Sequence, residues 1–486
     1  MKNKIISSTI GLLTAILIDS AFLFAQSEKF NNIHKNQHRQ QFKMLEQMRV
    51  ENCCLTPGEL HVRPERINDF RLFEHPIYEK CSPINNINKP TLKSWVSLGP
   101  EGGWIETVLM HPTDHNILFA QAQGNPTQIY KSTNSGATWE LISRIPTTLY
   151  DFALDPNNSS ILYGVNGNNI YKSEDGGSTW TNYQIDTKWF NNPCIHVCPT
   201  NSNVIYIGAS YYSNNKSTIV VYKSTNGGMS WTPYEVLPSN YRDAYCQCFA
   251  GNPQDTNELY VGGYYYDNMD IYYAVLFKST DGGVNWADKS NGLESLVYDI
   301  VIDPASPDKI YACNYYNIYR SQDGGSNWYK NNGRAYAYKL VIDRQNTNII
   351  YGGEYYCIFK STDGGINWQY YSNGLKGQCN TILVDHTTSS QLYYGSTVGV
   401  FKSSNRGSDW SAINSGIVAS RITAMGMAPG DPRTIYLEFE YDAVYKTINS
   451  GNDWTKLPEF TSCGNIGAIA VNNTSSNIAY ALEESG

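Results

Sequence analysis

Ser132-Thr-Asn134-Ser-Gly136-Ala-Thr-Trp139 is the first of eight copies of one short signature along this 486-residue chain. Ser173-Glu-Asp175-Gly-Gly177-Ser-Thr-Trp180 and Ser224-Thr-Asn226-Gly-Gly228-Met-Ser-Trp231 follow. Then come Ser279 to Trp286, Ser321 to Trp328, Ser361 to Trp368, Ser403 to Trp410 and Thr447 to Trp454. Successive tryptophans lie 40 to 55 residues apart, a period that marks an array of like supersecondary units. Around the fifth copy, Asp299-Ile-Val-Ile-Asp303-Pro304, Lys309-Ile-Tyr311-Ala and Ile318-Tyr319-Arg320-Ser321 are three short runs rich in β-branched and aromatic residues, each followed by a turn. The segment after Trp328 supplies a fourth. Four short strands per repeat, here A to D, predict an all-β fold built of β-propeller blades. Eight blades are visible with a partial ninth, and whether the ring is complete is left open.

The signature is the C–D turn, and its chemistry is structural. Its third residue, Asp175, Asp281, Asp323 or Asp363 in four copies and asparagine in the others, is suited to bonding nearby amides. Its glycines accept positive φ. Its tryptophan buries a large ring and offers one N–H. One acidic residue per loop, replaced in places by Asn134, Asn226, Asn405 or Asn449, is a poor cage for a hard cation, so no metal or other cofactor is expected.

The pattern resembles the Asp-box, or BNR, repeat S-x-D-x-G-x-T-W. Families that carry it include sialidases, sortilin-type receptor ectodomains, xyloglucan-cleaving glycoside hydrolases and a photosystem assembly factor. The resemblance spans residues 95 to 486 and implies a propeller whose boxes lie on the face away from the ligand. Sortilin-like ectodomains imply one large ring, xyloglucanase-like enzymes two seven-bladed rings.

Net charge is −8 and charged residues make up 16% of the chain, which argues against a nucleic-acid binder and fits poorly with the photosystem factor's basic patch. Residues 1–25 read as a secretory signal: Lys2 and Lys4, an apolar stretch from Ile5 to Phe24, and Ala25-Gln26 as the cleavage point. The protein is therefore expected outside the cell or at its surface, with no integral membrane segment in the mature chain. Residues 26–92 carry no repeat, and 93–486 form the propeller. Ile466-Gly-Ala-Ile-Ala-Val471 and Asn477-Ile-Ala-Tyr480 match strands A and B of a ninth blade with no C–D turn after them, so the array reads as truncated. Trp95-Val-Ser-Leu98 resembles a strand D with no blade before it. Eleven cysteines in an exported chain favour pairing. Cys194 and Cys248 share a register in adjacent A strands and are the candidate pair, against two small buried residues. A zinc site from Cys194, Cys198, Cys246 and Cys248 has spacings unlike the common structural zinc loops.

The face opposite the boxes carries B–C turns and D–A connections, and it is rich in tyrosine. Tyr212, Tyr265, Tyr315, Tyr355, Trp189, Tyr241, Arg242 and Tyr336 are the candidate ligand-binding residues there, since flat rings with hydrogen-bonding tips suit a protein, peptide or polysaccharide. The alternative is that individual tyrosines pack between blades. Glycoside hydrolysis requires two carboxylates ~5–9.5 Å apart. Asp151, Asp299 and Asp243 are the candidates, with turn or capping roles as the alternative. Ser143-Arg144-Ile145-Pro146 resembles the sialidase arginine motif but follows the first box, whereas in sialidases it precedes the boxes. The leading reading is an exported, non-catalytic propeller that binds protein, peptide or glycan. The alternatives are a xyloglucanase-like glycoside hydrolase fragment and a structural module of a larger surface protein.

Overall fold

A computed structural model describes residues 101–486, except 214–215, 238–242, 267–270, 420–421, 429, 440–443, 458–465, 473–474 and 484–486. The chain divides into Met1–Pro90 and Thr91–Gly486, and the described residues all lie in the second unit. The signal segment, the rest of the non-repeat region and Trp95 to Leu98 fall outside the described residues.

Every described regular element is a strand. Eight four-stranded antiparallel sheets follow the order A-B-C-D, each from one continuous stretch of chain, and a two-stranded sheet (Ile466–Val471, Ala479–Glu483) follows them. Blade 5 is typical: Asp299–Ile302, Ile310–Cys313, Ile318–Ser321 and Tyr329–Lys330. Strand B is buried on both faces, strand A alternates buried and half-buried residues, and the short D strands are largely exposed. Successive A strands pack on one another, which places strand A innermost.

The A strands of blades 1 to 7 are Ile105–Met110, Asp151–Leu154, Phe190–Val197, Ala244–Gly251, Asp299–Ile302, Lys339–Ile342 and Cys379–Val384. Each packs against the next, and Cys379–Val384 packs back on Ile105–Met110, so seven blades make a closed cycle of contacts. The eighth blade takes no place in that cycle. Its A strand, Ile422–Ala428, packs on the two-stranded sheet after it. Among the described residues the closure uses no blade shared between distant parts of the chain. It is fastened by side chains: Trp139 Nε1 donates to Ile413 O at 2.7 Å, Asn380 Nδ2 to Ile105 O at 2.9 Å, and His115 Nδ1 lies 2.6 Å from Asp385 Oδ1. A short parallel pairing of Gly102–Gly103 with Val418–Ala419 lies at the same seam.

One rule of packing repeats between blades. An apolar pair on strand A faces the preceding blade: Ile300 and Ile302 of blade 5 share a core with Tyr260, Ala274 and Leu276 of blade 4. A strand-B tyrosine faces the following one: Tyr206, Tyr260 and Tyr311 donate to Gly282 O, Gly324 O and Gly364 O in the next signature loop, at 3.3 to 3.4 Å.

Candidate functional site

The signature loops satisfy themselves. Asp175 Oδ1 accepts from Ser173 Oγ at 2.8 Å and from the Thr179 amide at 2.9 Å, while Oδ2 accepts from Thr179 Oγ1 at 2.6 Å. These bonds, the Thr179 hydroxyl first among them, hold the Asp175 carboxyl down at about 2. Asp323 and Asp363 are likewise bonded by the Asn327 and Asn367 side chains. With both oxygens of such a carboxylate occupied, the loop braces the blade rather than presenting a ligand group. Among the described residues no cluster of histidine, cysteine and carboxylate side chains is placed to hold a metal ion.

The opposite face carries a belt of tyrosines in two clusters of touching rings, one in blade 4 and one across blades 5 and 6. In blade 4, Tyr264 stacks on Tyr245 with ring centroids 5.2 Å apart and meets Tyr266 edge-on at 5.5 Å, and Tyr266 meets Tyr272 at 6.2 Å. In blade 5, Tyr298 and Tyr315 cross at 4.5 Å. Tyr338, at the entry to strand A of blade 6, touches both at 5.3 and 5.6 Å, and reaches Tyr355 at 5.4 Å. Tyr355 continues to Tyr356 at 5.9 Å. Burial first, then neighbouring phenols, pushes Tyr264 up to about 12, so its hydroxyl is a neutral donor at ordinary pH. The belt is solid yet open: Tyr315 and Tyr355 are 44% and 43% exposed.

The belt sorts the tyrosines expected from the sequence. Tyr315 and Tyr355 are members. Tyr265 is not, because strand alternation turns it to the other face of its sheet, where it stacks on Tyr273 at 5.4 Å. Tyr336 is half-buried and packs on Phe359 at 5.5 Å, against the edge of the core between blades 5 and 6. Tyr212 is exposed, next to the B–C turn of blade 3. Trp189 is 56% exposed and lies flat on Gly167, where a Cβ would come within 2.7 Å of the ring. Tyr241 and Arg242 fall outside the described residues. Tyr264, Tyr266, Tyr298, Tyr338 and Tyr356 lie in the tyrosine-rich turns and connections without having been singled out, and Tyr245 and Tyr272 were missed. The i, i+2 spacing of Tyr264 and Tyr266 was the available signal.

Asp151 and Asp299 line the space enclosed by the A strands. Asp151 Oδ2 accepts from the Ile195 amide of blade 3 at 2.9 Å, and Asp299 Oδ2 from the Leu340 amide of blade 6 at 2.8 Å. Each therefore ties its blade to the next. Asp243, at φ 43°, accepts from the Ser217 amide at 3.0 Å and braces the B–C hairpin of blade 3. Glu106, which sits at an irregularity in strand A of blade 1, joins the same enclosed field and accepts from Trp104 Nε1 at 2.9 Å. Burial raises the carboxyls of Glu106, Asp151 and Asp299 above their ordinary values. Burial works against the Lys339 ammonium, but Asp299 and then Asp151 outweigh it and carry Lys339 upward. The arrangement is an axial cluster of three carboxyls around one ammonium, with Asp151 and Asp299 held by backbone amides.

Cys194, Cys198, Cys246 and Cys248 are free thiols, and the close neighbour of Cys194 is not Cys248. Cys246 Sγ, not that of Cys248, lies 3.6 Å from Cys194 Sγ. A register shift between Cys246 and Cys248 turns one thiol toward blade 3 and the other toward blade 5. Cys198 Sγ meets Thr200 Oγ1 at 3.5 Å, apart from that pair. Arg144 lies on strand D at the rim of blade 1, exposed, beside a surface cleft of about 390 Å³ that Trp180 and Pro146 also line.

Closed blade packing, self-satisfied boxes and an aromatic opposite face define an Asp-box β-propeller of the sortilin-like and xyloglucanase-like kind. The family model described as sortilin, neurotensin receptor 3, matches residues 127–265. A xyloglucanase of Hypocrea jecorina is 28% identical over 264 residues, which is 48% of this chain and 27% of that protein. A xyloglucanase of Paenibacillus sp. is 24% identical over 212 residues, 37% of this chain and 20% of that protein. The chain thus spans about a fifth to a quarter of the length of these curated relatives. Among solved structures, an ancestral GH74 enzyme superposes with a TM-score of 0.60 at 15% identity, covering 78% of this chain and 58% of that one. The GH74 xyloglucanase from Xanthomonas campestris gives 0.56 at 12% identity, covering 78% and 71%. At these identities the likeness is one of fold.

Proposed function

We propose that the protein is an exported, non-catalytic polysaccharide-binding propeller, and that the tyrosine belt of blades 4 to 6 is its binding surface. The belt carries this reading. Its two clusters of touching rings, Tyr245 to Tyr272 and Tyr298 to Tyr356, offer flat apolar surfaces bordered by phenol donors, the chemistry that stacks on sugar rings and bonds their hydroxyls. Relatives named xyloglucanases favour a glucan of that type over a peptide. The carboxylates considered for hydrolysis favour binding without cleavage. Asp151 and Asp299 each commit an oxygen to a neighbouring blade's amide, and burial holds their carboxyls up within an enclosed space.

Affinity electrophoresis and calorimetry against xyloglucan, cellulose oligomers and mannan test the proposal. Binding to at least one glucan is expected. Tyr315→Ala or Tyr355→Ala should each weaken it by about 5- to 10-fold, and Tyr336→Ala, outside the clusters of touching tyrosines, should leave affinity unchanged. Release of reducing ends from any of these polymers would refute the non-catalytic reading. Unchanged affinity in both belt variants would remove the belt.

A further inference from the structure

Two thiols from neighbouring blades touch between the innermost strands. Cys194 stands on strand A of blade 3 and Cys246 on strand A of blade 4, and their sulfurs lie 3.6 Å apart, in van der Waals contact. Both strands carry a register shift at this point, between Asn191 and Cys194 and between Cys246 and Cys248. Such irregularities re-aim side chains. Here they bring the two sulfurs together over Gly208, where a Cβ would come within 3.1 Å of Cys194 Sγ and 3.2 Å of Cys246 Sγ. The thiols beside them in sequence have other neighbours: Cys198 Sγ meets Thr200 Oγ1, and Cys248 Sγ meets Val297 O at 4.0 Å. Exposure differs within the pair. Cys194 is half-buried, whereas Cys246 is fully enclosed. The hydrogen bond with Cys194, and then burial, push the Cys246 thiol up, so Cys246 waits as a neutral thiol behind its more accessible neighbour.

We propose that Cys194 and Cys246 form an oxidative cross-linking site that ties blade 3 to blade 4. The oxidant is a small disulfide of the glutathione type. Cys194, as thiolate, attacks one sulfur of that disulfide, whose S–S bond breaks, and one glutathione thiolate leaves with the bonding pair. Cys246 then gives its proton to solvent and attacks Cys194 Sγ, and the second glutathione leaves as a thiolate. The protein loses two protons and two electrons, and the oxidant takes up both as two molecules of glutathione. A disulfide bond is about 2 Å long, so the touching sulfurs need to close by about 1.5 Å. The link spans 52 residues of chain and restricts the unfolded state accordingly. It also pins the strand from which Tyr245 reaches Tyr264 of the belt.

The full chain, reduced and then incubated with oxidised glutathione, is alkylated in denaturant, and its non-reduced digest is read by mass spectrometry. A peptide joining Cys194 to the strand of Cys246 is expected, about 2 Da lighter than its two parts and separated by dithiothreitol. The link should persist in Cys248→Ala and vanish in Cys246→Ala, which tells apart the two thiols of one peptide. Cys194→Ala, at a half-buried side chain, should abolish it as well and serves if Cys246→Ala fails to fold. Oxidation should raise the urea midpoint of the wild type and of Cys248→Ala more than that of either variant lacking the pair. Cys194 and Cys246 both left open to alkylation, a link from Cys194 to Cys248, or glutathione retained on Cys194 as the end product would each overturn the proposal.

Discussion

At the residue scale the signature loop is a matched donor and acceptor pair. Where its third position is aspartate, the residue four places on donates: Thr179 to Asp175, Asn285 to Asp281, Asn327 to Asp323, Asn367 to Asp363. Where it is asparagine, the partner accepts: Asn405 Nδ2 donates to Asp409 Oδ2 at 2.6 Å, and Asn449 Nδ2 to Asp453 Oδ2 at 2.7 Å. The swap preserves one bond with its polarity reversed. Asn405→Asp should therefore set two carboxylates against each other and lower the thermal midpoint at pH 7. The pair's folded pKa then lies above its unfolded value, so the loss should shrink as pH falls through that raised value. Asn405→Asp/Asp409→Asn, which recreates the pairing of Asp323 with Asn327, should restore the midpoint. Calorimetry across pH reads all three. The native boxes have the opposite sign. Asp175, Asp281 and Asp323 are held at about 2, so their contribution is present above the ordinary carboxylate value near 3.8 and is lost as pH falls toward 2. The box and its tryptophan were legible in the sequence because they recur. The polarity swap was equally readable, but only by comparing the third and seventh positions of each signature together.

At the scale of elements, strands A are bound to one another by charge as well as by apolar packing. Lys339 of blade 6 sits in the field of Asp299 and Asp151, with Glu106 farther down in influence. Removing the ammonium leaves enclosed carboxylates without their counter-charge, which costs about 3 kcal/mol when such a group is held in place. Lys339→Met should accordingly destabilise the protein by roughly that much at pH 8. The three carboxyls already stand above their ordinary values, and without Lys339 they stand higher still. The penalty should therefore fade as pH drops toward those values, and Asp299→Asn in the same background should recover part of it. Urea unfolding at pH 5 and pH 8 measures both. A loss independent of pH would assign Lys339 a packing role instead. The sequence singled out Asp151 and Asp299, yet could not show that the two aspartates accept amides from the next blade, because that bond depends on the rotation between sheets. The register shifts in blades 1 and 4 were hidden for a related reason. A single extra residue, near Glu106 or near Gln247, leaves the hydrophobic alternation almost intact while redirecting every side chain beyond it.

Across the whole described chain, repeats can be counted from the sequence but closure cannot. Blade 8 has the same signature and the same apolar pair on strand A as its predecessors, so nothing in its own residues says that seven blades already complete a cycle. Closure is a property of contacts 270 or more residues apart, such as His115 with Asp385 and Trp139 with Ile413. The tyrosine belt was legible as a composition and not as a surface, because membership depends on which side of each strand a ring leaves. Two bodies of unequal cohesion follow from the contacts. The cycle buries seven extensive clusters between neighbouring blades, whereas blade 8 and the two-stranded sheet share a small one built on Ala424, Tyr436, Val444 and Ile469. Less apolar area removed from water means less stabilisation, and sets of elements with few shared contacts unfold separately. Heating should therefore give two transitions, the lower belonging to residues 422–483. Tyr436→Ala deletes the ring that seats this small core and its bond to Ser476 O at 2.8 Å, a change of about 3 kcal/mol. It should lower or abolish the first transition and leave the second in place. Trp139→Ala, at the seam between blades 7 and 1, should do the reverse. Scanning calorimetry with both variants decides it: if the two substitutions shift one common transition, blade 8 and the closed cycle unfold as a single cooperative unit.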